Sequence, residues 1–287
     1  MNLNRGYLYV VDGQRWARET LYAVKQLRTL SKLPICIVSS ELFGDIQQIN
    51  EAYENIFILI VEEIKNSNFI SKVVGMINSP FENTMYMDTD TYVVYNIDKI
   101  FDVLNLCDMA MKIEASNHTG IYPVNDVYQD FVPEYNSGVV LFKKNEIVQC
   151  TLENWKTAIV EQIYSKEYFD MPQFRSTFIN VDTKPIIFTL SENFNMSGLR
   201  TYKIIHGRVF IIHERFGTFW FSHSEKMLNN AQMHNIATRI NKTNQKRLFI
   251  PYFNFVVPTS VISLAYIVNR IKVCMGFPKI KKSKAFS

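Results

Sequence analysis

Thr84 to Val94, T-M-Y-M-D-T-D-T-Y-V-V, runs from apolar residues onto two aspartates with one residue between them. In an extended segment residues i and i+2 face the same way, so the stretch predicts that Asp88 and Asp90 present both carboxylates to one point. Two convergent hard oxygen ligands suit Mg²⁺ or Mn²⁺, ions that usually complete their shells with water and substrate phosphate. The implied ligand is a metal-bound diphosphate. Eleven aspartates in 287 residues would produce such a tripeptide by chance roughly 0.4 times. The context therefore has to carry the assignment.

Working outward, Gly6 to Val11 (G-Y-L-Y-V-V) reads as a buried first strand. Arg15 to Leu30 follows with apolar residues at near-helical spacing. Pro34 to Ser39 and Ile56 to Val61 are further short apolar runs, Asn68 to Ile77 reads as helix, and Met85 to Met87 leads into the aspartates. Strands alternating with helices predict an α/β fold, a mostly parallel sheet covered on both faces. Ligands in such sheets sit beyond the carboxyl ends of the strands, where Asp88 and Asp90 fall. Further along, Asn96 to Leu104 reads as a short helix and Met109 to Ile113 as a strand. Asn136 to Lys143 is a small-residue turn feeding a strand, and Asn145 to about Tyr164 is a helix. Thr183 to Thr189 and Arg208 to His213 are later strand candidates.

The composition, 47% hydrophobic and 20% charged, is that of a globular chain with one large core. Four cysteines without C-x-x-C spacing, and no signal peptide at the start given, fit a reducing cytosol. The net charge of +4 conceals a division. Residues 226–287 hold eleven Lys and Arg and no acidic residue, whereas residues 1–225 hold 20 basic against 27 acidic groups. The expected organisation is a catalytic domain over 1–225 and a basic, apolar extension over 226–287.

Leu248 to Val268 has the length of a membrane span but includes two prolines and several polar residues. A helix from Pro258, with Val261, Leu264, Val268 and Ile271 on one stripe and a lysine cluster after it, fits an anionic membrane surface. Packing of the tail's aromatics on the catalytic domain is the competing reading. The basic residues flank an apolar core instead of interleaving with a binding motif, so no nucleic-acid partner is expected.

Position by position the chain resembles the nucleotide-diphospho-sugar transferases of the GT-A glycosyltransferase fold, of the glycogenin-like kind. The matching pieces are Tyr7 to Gly13 (Y-L-Y-V-V-D-G), Ser71-Lys72 ahead of Ser79-Pro80-Phe81, Met85 to Thr91, Glu134 to Phe142 (E-Y-N-S-G-V-V-L-F), Asp170 to Phe174 (D-M-P-Q-F) and Ile211 to Glu214 (I-I-H-E). They occur in the expected order over residues 6 to about 215. The resemblance implies a GT-A, Rossmann-like sheet and transfer of a hexose from a nucleotide diphosphate sugar, with uridine the expected base. The acceptor would be a hydroxyl of a glycan, lipid-linked saccharide or protein.

By that resemblance Asp88, Asp90 and His213 bind a divalent metal, and Thr89 lies in the donor site between the two aspartates. His213 ends an apolar run, and imidazole is an acceptable Mn²⁺ ligand; a purely structural histidine and His206 are the alternatives. Lys72 is the implied basic residue near the donor. Asn136, Ser137 and Gly138 match the turn that lines donor sugar and acceptor. Asp170 and Gln173 stand where the family has adjacent D-Q, here spread over D-M-P-Q, with Asp170 the better candidate for the reacting sugar. Val11, Asp12 and Gly13 match the end of the base-binding strand, although Asp12 equally suits a helix cap before Arg15. The sequence contains neither G-x-G-x-x-G nor a Walker loop. Rival readings are a nucleotidyltransferase making sugar nucleotides, which should have a Gly-rich N-terminal loop, and a non-catalytic carbohydrate-binding protein attached to membrane.

Overall fold

The computed structural model describes residues 3–64, 69–114, 132–162, 170–197, 207–213, and positions 231, 233–235, 238 and 241. Its elements run β1 (Arg5–Val11), α1 (Gln14–Arg28), β2 (Ile35–Ser39), α2 (Gly44–Ala52), β3 (Ile56–Ile60), a 3-10 turn (Glu62–Ile64), α3 (Phe69–Ile77), β4 (Asn83–Met87) and β5 (Thr91–Val93). A 3-10 helix (Asp98–Asn105), β6 (Met109–Ile113), β7 (Tyr135–Lys143), α4 (Glu146–Gln162), α5 (Asp170–Asn180), β8 (Ile187–Thr189), a 3-10 turn (Glu192–Phe194), β9 (Met196–Ser197) and β10 (Ile211–His213) complete the order.

Seven strands form one sheet in the order β3-β2-β1-β4-β7-β6-β8. Neighbours are parallel except β7, which runs antiparallel to both β4 and β6. The expected mostly parallel sheet is therefore present, with one reversed strand placed centrally. The strand order turns back between β1 and β4. That is the switch point at which a crevice opens beyond the strand ends.

The pleat divides β1 between two cores. Tyr7, Tyr9 and Val11 face the layer of α1 and α2, whereas Leu8 and Val10 face α3, α4 and α5. Burial on both faces explains why these strands read as continuous apolar runs rather than as alternation. Trp155 of α4 is fully buried, lies 4.9 Å edge-on from Phe174 of α5, and donates its indole N–H to the Asp170 carbonyl at 2.9 Å. Such an aromatic pair is worth about 0.5–1.5 kcal/mol beyond its buried area, and here it fixes the start of α5.

Close backbone approaches set the rim of the crevice. Gly13 has φ 126°, a conformation that suits glycine, and it occupies the N-cap of α1 without any side-chain cap. The alternative reading of Asp12 as the helix cap is thus not realised, because the N-cap falls one residue later. At Gly75 a Cβ would lie 2.2 Å from Val10 Cγ2, so α3 rests directly on β1. Lys72, one turn earlier on α3, is brought over the same strand ends.

A smaller sheet, β5-β10-β9, closes the crevice. β10 pairs antiparallel with β5, setting His213 opposite Thr91. From the expected extension, Met233 and Asn241 are buried. Asn241 accepts the Val209 N–H at 2.7 Å and returns its amide to the Val209 carbonyl at 3.2 Å. The proposed membrane-active stretch Leu248 to Val268, the lysine cluster, His206 and Glu214 lie outside the described residues. Among the described residues no helix is long and apolar enough to cross a membrane.

Candidate active site

The metal segment differs from its expected form in one respect. β4 stops at Met87, and Asp88 to Asp90 form a turn instead of continuing the strand. The Thr91 N–H and hydroxyl donate to the Asp88 carbonyl at 3.1 and 2.8 Å, the i to i+3 closure of a β-turn. Convergence of the carboxylates comes from this turn, not from the period of two of an extended chain. Thr89, between them, donates its hydroxyl to Glu19 Oε2 of α1 at 2.9 Å and is buried. Its side chain anchors the turn to the helix behind it.

Asp88, Asp90 and His213 come together as the sequence reading requires. One ligand atom from each lies within 4.8 Å of the others, a group that could hold a metal ion. His213 Nε2 is 3.4 Å from Asp88 Oδ2 and 3.3 Å from Asp90 Oδ1. Two carboxylates and an imidazole form a donor set suited to Mn²⁺ or Mg²⁺.

Gly138 creates the space for the imidazole. A Cβ at this position would lie 2.0 Å from His213 Cε1. The Gly138 carbonyl accepts the Asp88 N–H at 2.8 Å. Asn136, Ser137 and Gly138 do not form a turn ahead of the strand but lie within β7, and the glycine is required there by the histidine that packs on it.

Lys72 reaches into the same space from α3. Its Nζ lies 2.7 Å from Asp170 Oδ2, 3.0 Å from Ser137 Oγ and 3.7 Å from Asp88 Oδ1. The Ser137 hydroxyl in turn donates to Asp170 Oδ2. Burial works against the ammonium, but the Asp170 and Asp88 carboxylates outweigh it and hold Lys72 charged well above its ordinary range. Asp88 is likewise desolvated. The Lys72 and His213 charges and the Tyr86 hydroxyl, which donates to Asp88 Oδ1, keep its carboxyl below the usual range. Burial, then the adjoining carboxylate, push the Tyr86 phenol well up, so it remains a donor.

Asp170 is thus the α5 residue tied to Lys72 and Ser137. Gln173 is buried one turn on, at the i+3 position of the same helix. Asn136 donates to Glu114 Oε2 at 2.5 Å and accepts from the Gly138 N–H at 2.9 Å and Asn195 Nδ2 at 2.7 Å. The hydrogen bond between Asn195 Oδ1 and His213 Nδ1 is 2.8 Å. Val11 ends β1, Asp12 follows it, and Gly13 is the N-cap of α1.

Sequence reasoning missed Glu19, Tyr86, Glu114 and Asn195. Only Glu19 left a signal, as an acid on the buried stripe of α1 alongside Trp16, Ala23 and Leu27. Asn195 lies in S-E-N-F-N-M-S, where nothing distinguishes it from a loop residue.

A family model described as "Mannosyltransferase putative" matches residues 4–105, the span that includes both aspartates. No curated protein sequence matches. Among solved structures, the galactosyltransferase LgtC in complex with donor and acceptor sugar analogs aligns at TM-score 0.52 and 12% identity, over 86% of this chain and 97% of that one. The glycosyltransferase GlyE of Streptococcus pneumoniae TIGR4 aligns at TM-score 0.54 and 12% identity, over 99% of this chain and 67% of its own. A looser likeness, TM-score 0.49 at 12% identity, covers 74% of this chain but only 46% of the bifunctional glycosyltransferase WbbM. The likeness at these identities is one of fold. The chain has the GT-A fold of these glycosyltransferases.

Two outcomes follow from the geometry. Gly138→Ala should drive the imidazole off the carboxylates, destabilise the chain by about 1–3 kcal/mol, and abolish the rise in melting temperature on titration with Mn²⁺; an unchanged Mn²⁺ response would contradict the close approach. In the metal-free protein, burial tends to lower the His213 pKa, yet the Asp90 charge and hydrogen bonds to both aspartates push it up to about 10, against 6.5 for the free side chain. Folding favours the protonated form, so this stabilisation is complete below pH 6.5 and is lost as pH rises through about 10. Urea denaturation without metal from pH 6.5 to 10 should therefore show a steeper decline for the parent chain than for His213→Gln.

Proposed function

We propose that this chain is a metal-dependent glycosyltransferase that moves a hexose from a nucleoside diphosphate sugar to a hydroxyl of a glycan, lipid-linked saccharide or protein. The observation that carries the reading is the convergence of Asp88, Asp90 and His213 at the crevice between β1 and β4, with Lys72 alongside. Asp88, Asp90 and His213 are the residues to hold Mn²⁺ or Mg²⁺. Bound there, the ion supplies Lewis-acid stabilisation of charge on the departing diphosphate.

The remaining tasks fall to the chain itself. Lys72 contributes a second positive charge, fixed over the pocket by Asp170 and Ser137. Val11, Asp12 and Gly13 line the side expected to take the base and ribose, and Thr89 with Glu19 holds the turn in place behind the donor. Asn136 and Ser137 offer hydrogen bonds matched to sugar hydroxyls. Asp170, with Gln173 next to it on α5, faces the reacting sugar in this reading. A uridine nucleotide is the first choice of donor, and the description of the matching family adds mannose to the sugars to be tested.

The nucleotidyltransferase alternative is weakened by the sequence, in which Gly13 stands alone where a Gly-rich loop would be needed. A non-catalytic scaffold gives no reason for a largely buried lysine held between Asp170 and Asp88. Action at the cytoplasmic face of an anionic membrane, through the eleven cationic residues of 226–287, belongs to the same proposal.

Incubation with Mn²⁺ and a panel of UDP-hexoses and GDP-mannose should release nucleotide from one donor, and Asp90→Ala should lower that rate on the order of 10²–10³-fold. Silence with every donor, or an unaffected Asp90→Ala, would remove the catalytic reading. Flotation with phosphatidylserine vesicles should carry the full chain but not a form ending at Lys246. Equal partitioning of the two would refute surface attachment.

A further inference from the structure

We infer that Asn195 is a positioning residue that fixes the tautomer of His213, so that Nε2 rather than Nδ1 is the metal-ligating nitrogen; this rests on the metal-dependent reading above. The Gly138 backbone N–H can only donate, and it points at Asn136 Oδ1 at 2.9 Å. That identifies the oxygen of the Asn136 amide and directs its nitrogen to Glu114 Oε2, 2.5 Å away. Both ends of this amide agree.

The same Asn136 oxygen lies 2.7 Å from the Asn195 amide, which must therefore present its nitrogen there. Asn195 Oδ1 is left facing His213 Nδ1 at 2.8 Å. An amide oxygen cannot donate, so Nδ1 carries the hydrogen. The opposite tautomer would set two lone pairs against each other at that distance and leave no lone pair towards the aspartates.

Burial makes the arrangement binding. Asn195 is fully buried, with Asn136 and Glu114 nearly so, and in that setting an unmatched polar pair costs about 1–3 kcal/mol. The chain joins four elements: β6 leads into Glu114, β7 holds Asn136, the 3-10 turn Glu192–Phe194 delivers Asn195, and β10 ends in His213. Metal-binding histidines commonly have the second ring nitrogen fixed in this manner. Here the fixing group is an amide whose own direction is dictated by the backbone of β7. The residue proposed to meet the donor sugar, Asn136, is therefore connected to the metal group through a single side chain.

The test uses the full chain and Mn²⁺ alone, with free Mn²⁺ followed by its EPR signal. Asn195→Leu should weaken Mn²⁺ binding about 10–100-fold, whereas Asn195→Asp, which retains an oxygen to accept from Nδ1–H although it sets the other against the Asn136 oxygen, should lose clearly less. Wild-type affinity in Asn195→Leu, or an equal loss in both variants, overturns the inference. Asp90→Ala is the control that separates the two claims. If it binds Mn²⁺ like the parent, the metal-dependent reading itself fails. If Asn195→Leu does not fold, ¹⁵N NMR of the parent chain loaded with Mg²⁺ decides. His213, assigned by comparison with His213→Gln, should show its proton on Nδ1, and a proton on Nε2 would overturn the proposal.

Discussion

The backbone hydrogen bond from Asp88 N–H to the Gly138 carbonyl is the joint on which the site depends. It continues the antiparallel ladder of β4 and β7, in which Met87 faces Val139, one residue beyond the last paired position. At that point β4 turns, while β7 continues back through Ser137 and Asn136. Asp88, the turn to Asp90, the N-S-G residues and the imidazole over Gly138 are consequently within one or two residues of a single contact. A slip of one residue in this pairing would exchange the faces of every side chain on β7. Ser137 would then leave Lys72, and the imidazole would meet a side chain where it now meets glycine.

Legibility followed the type of burial. β1 and β2 were readable because parallel strands covered on both faces are unbroken apolar runs bounded by polar residues, and β3 carries the same kind of run although it is a partly exposed edge strand. α1 was readable from its periodicity. Of the smaller sheet only β10 was legible, inside the apolar run Arg208 to His213; β5 has three residues and β9 two, too few for any period to show. The pairing of β5 with β10 unites Thr91 with His213 from distant parts of the chain. The Asp-x-Asp reading reached the correct convergence through an incorrect local conformation, because a turn and an extended strand can both bring residues i and i+2 to one side.

The altered D-M-P-Q segment is a different case. Spread over four positions in sequence, Asp170 and Gln173 become near neighbours once α5 winds them, so helical geometry absorbs the insertion that the linear pattern makes conspicuous. Glu19, Asn195 and Glu114 escaped notice for the reverse reason. Each acts through hydrogen bonds to residues far away in sequence. Polar residues of that kind resemble any surface residue until their partners are known.

Lys72 enters its encounters already shared among Asp170, Ser137 and Asp88. A bare phosphate or an uncomplexed nucleotide arriving at the crevice meets carboxylates as well as an ammonium, and like-charge repulsion cancels much of the attraction. An anion escorted by its own divalent counter-ion meets the opposite situation, because the aspartates welcome what the lone anion cannot provide. On the metal-dependent proposal, the pocket would so discriminate by charge state before shape or base identity matters, and the side chains that admit the complexed anion would hold out the free ones.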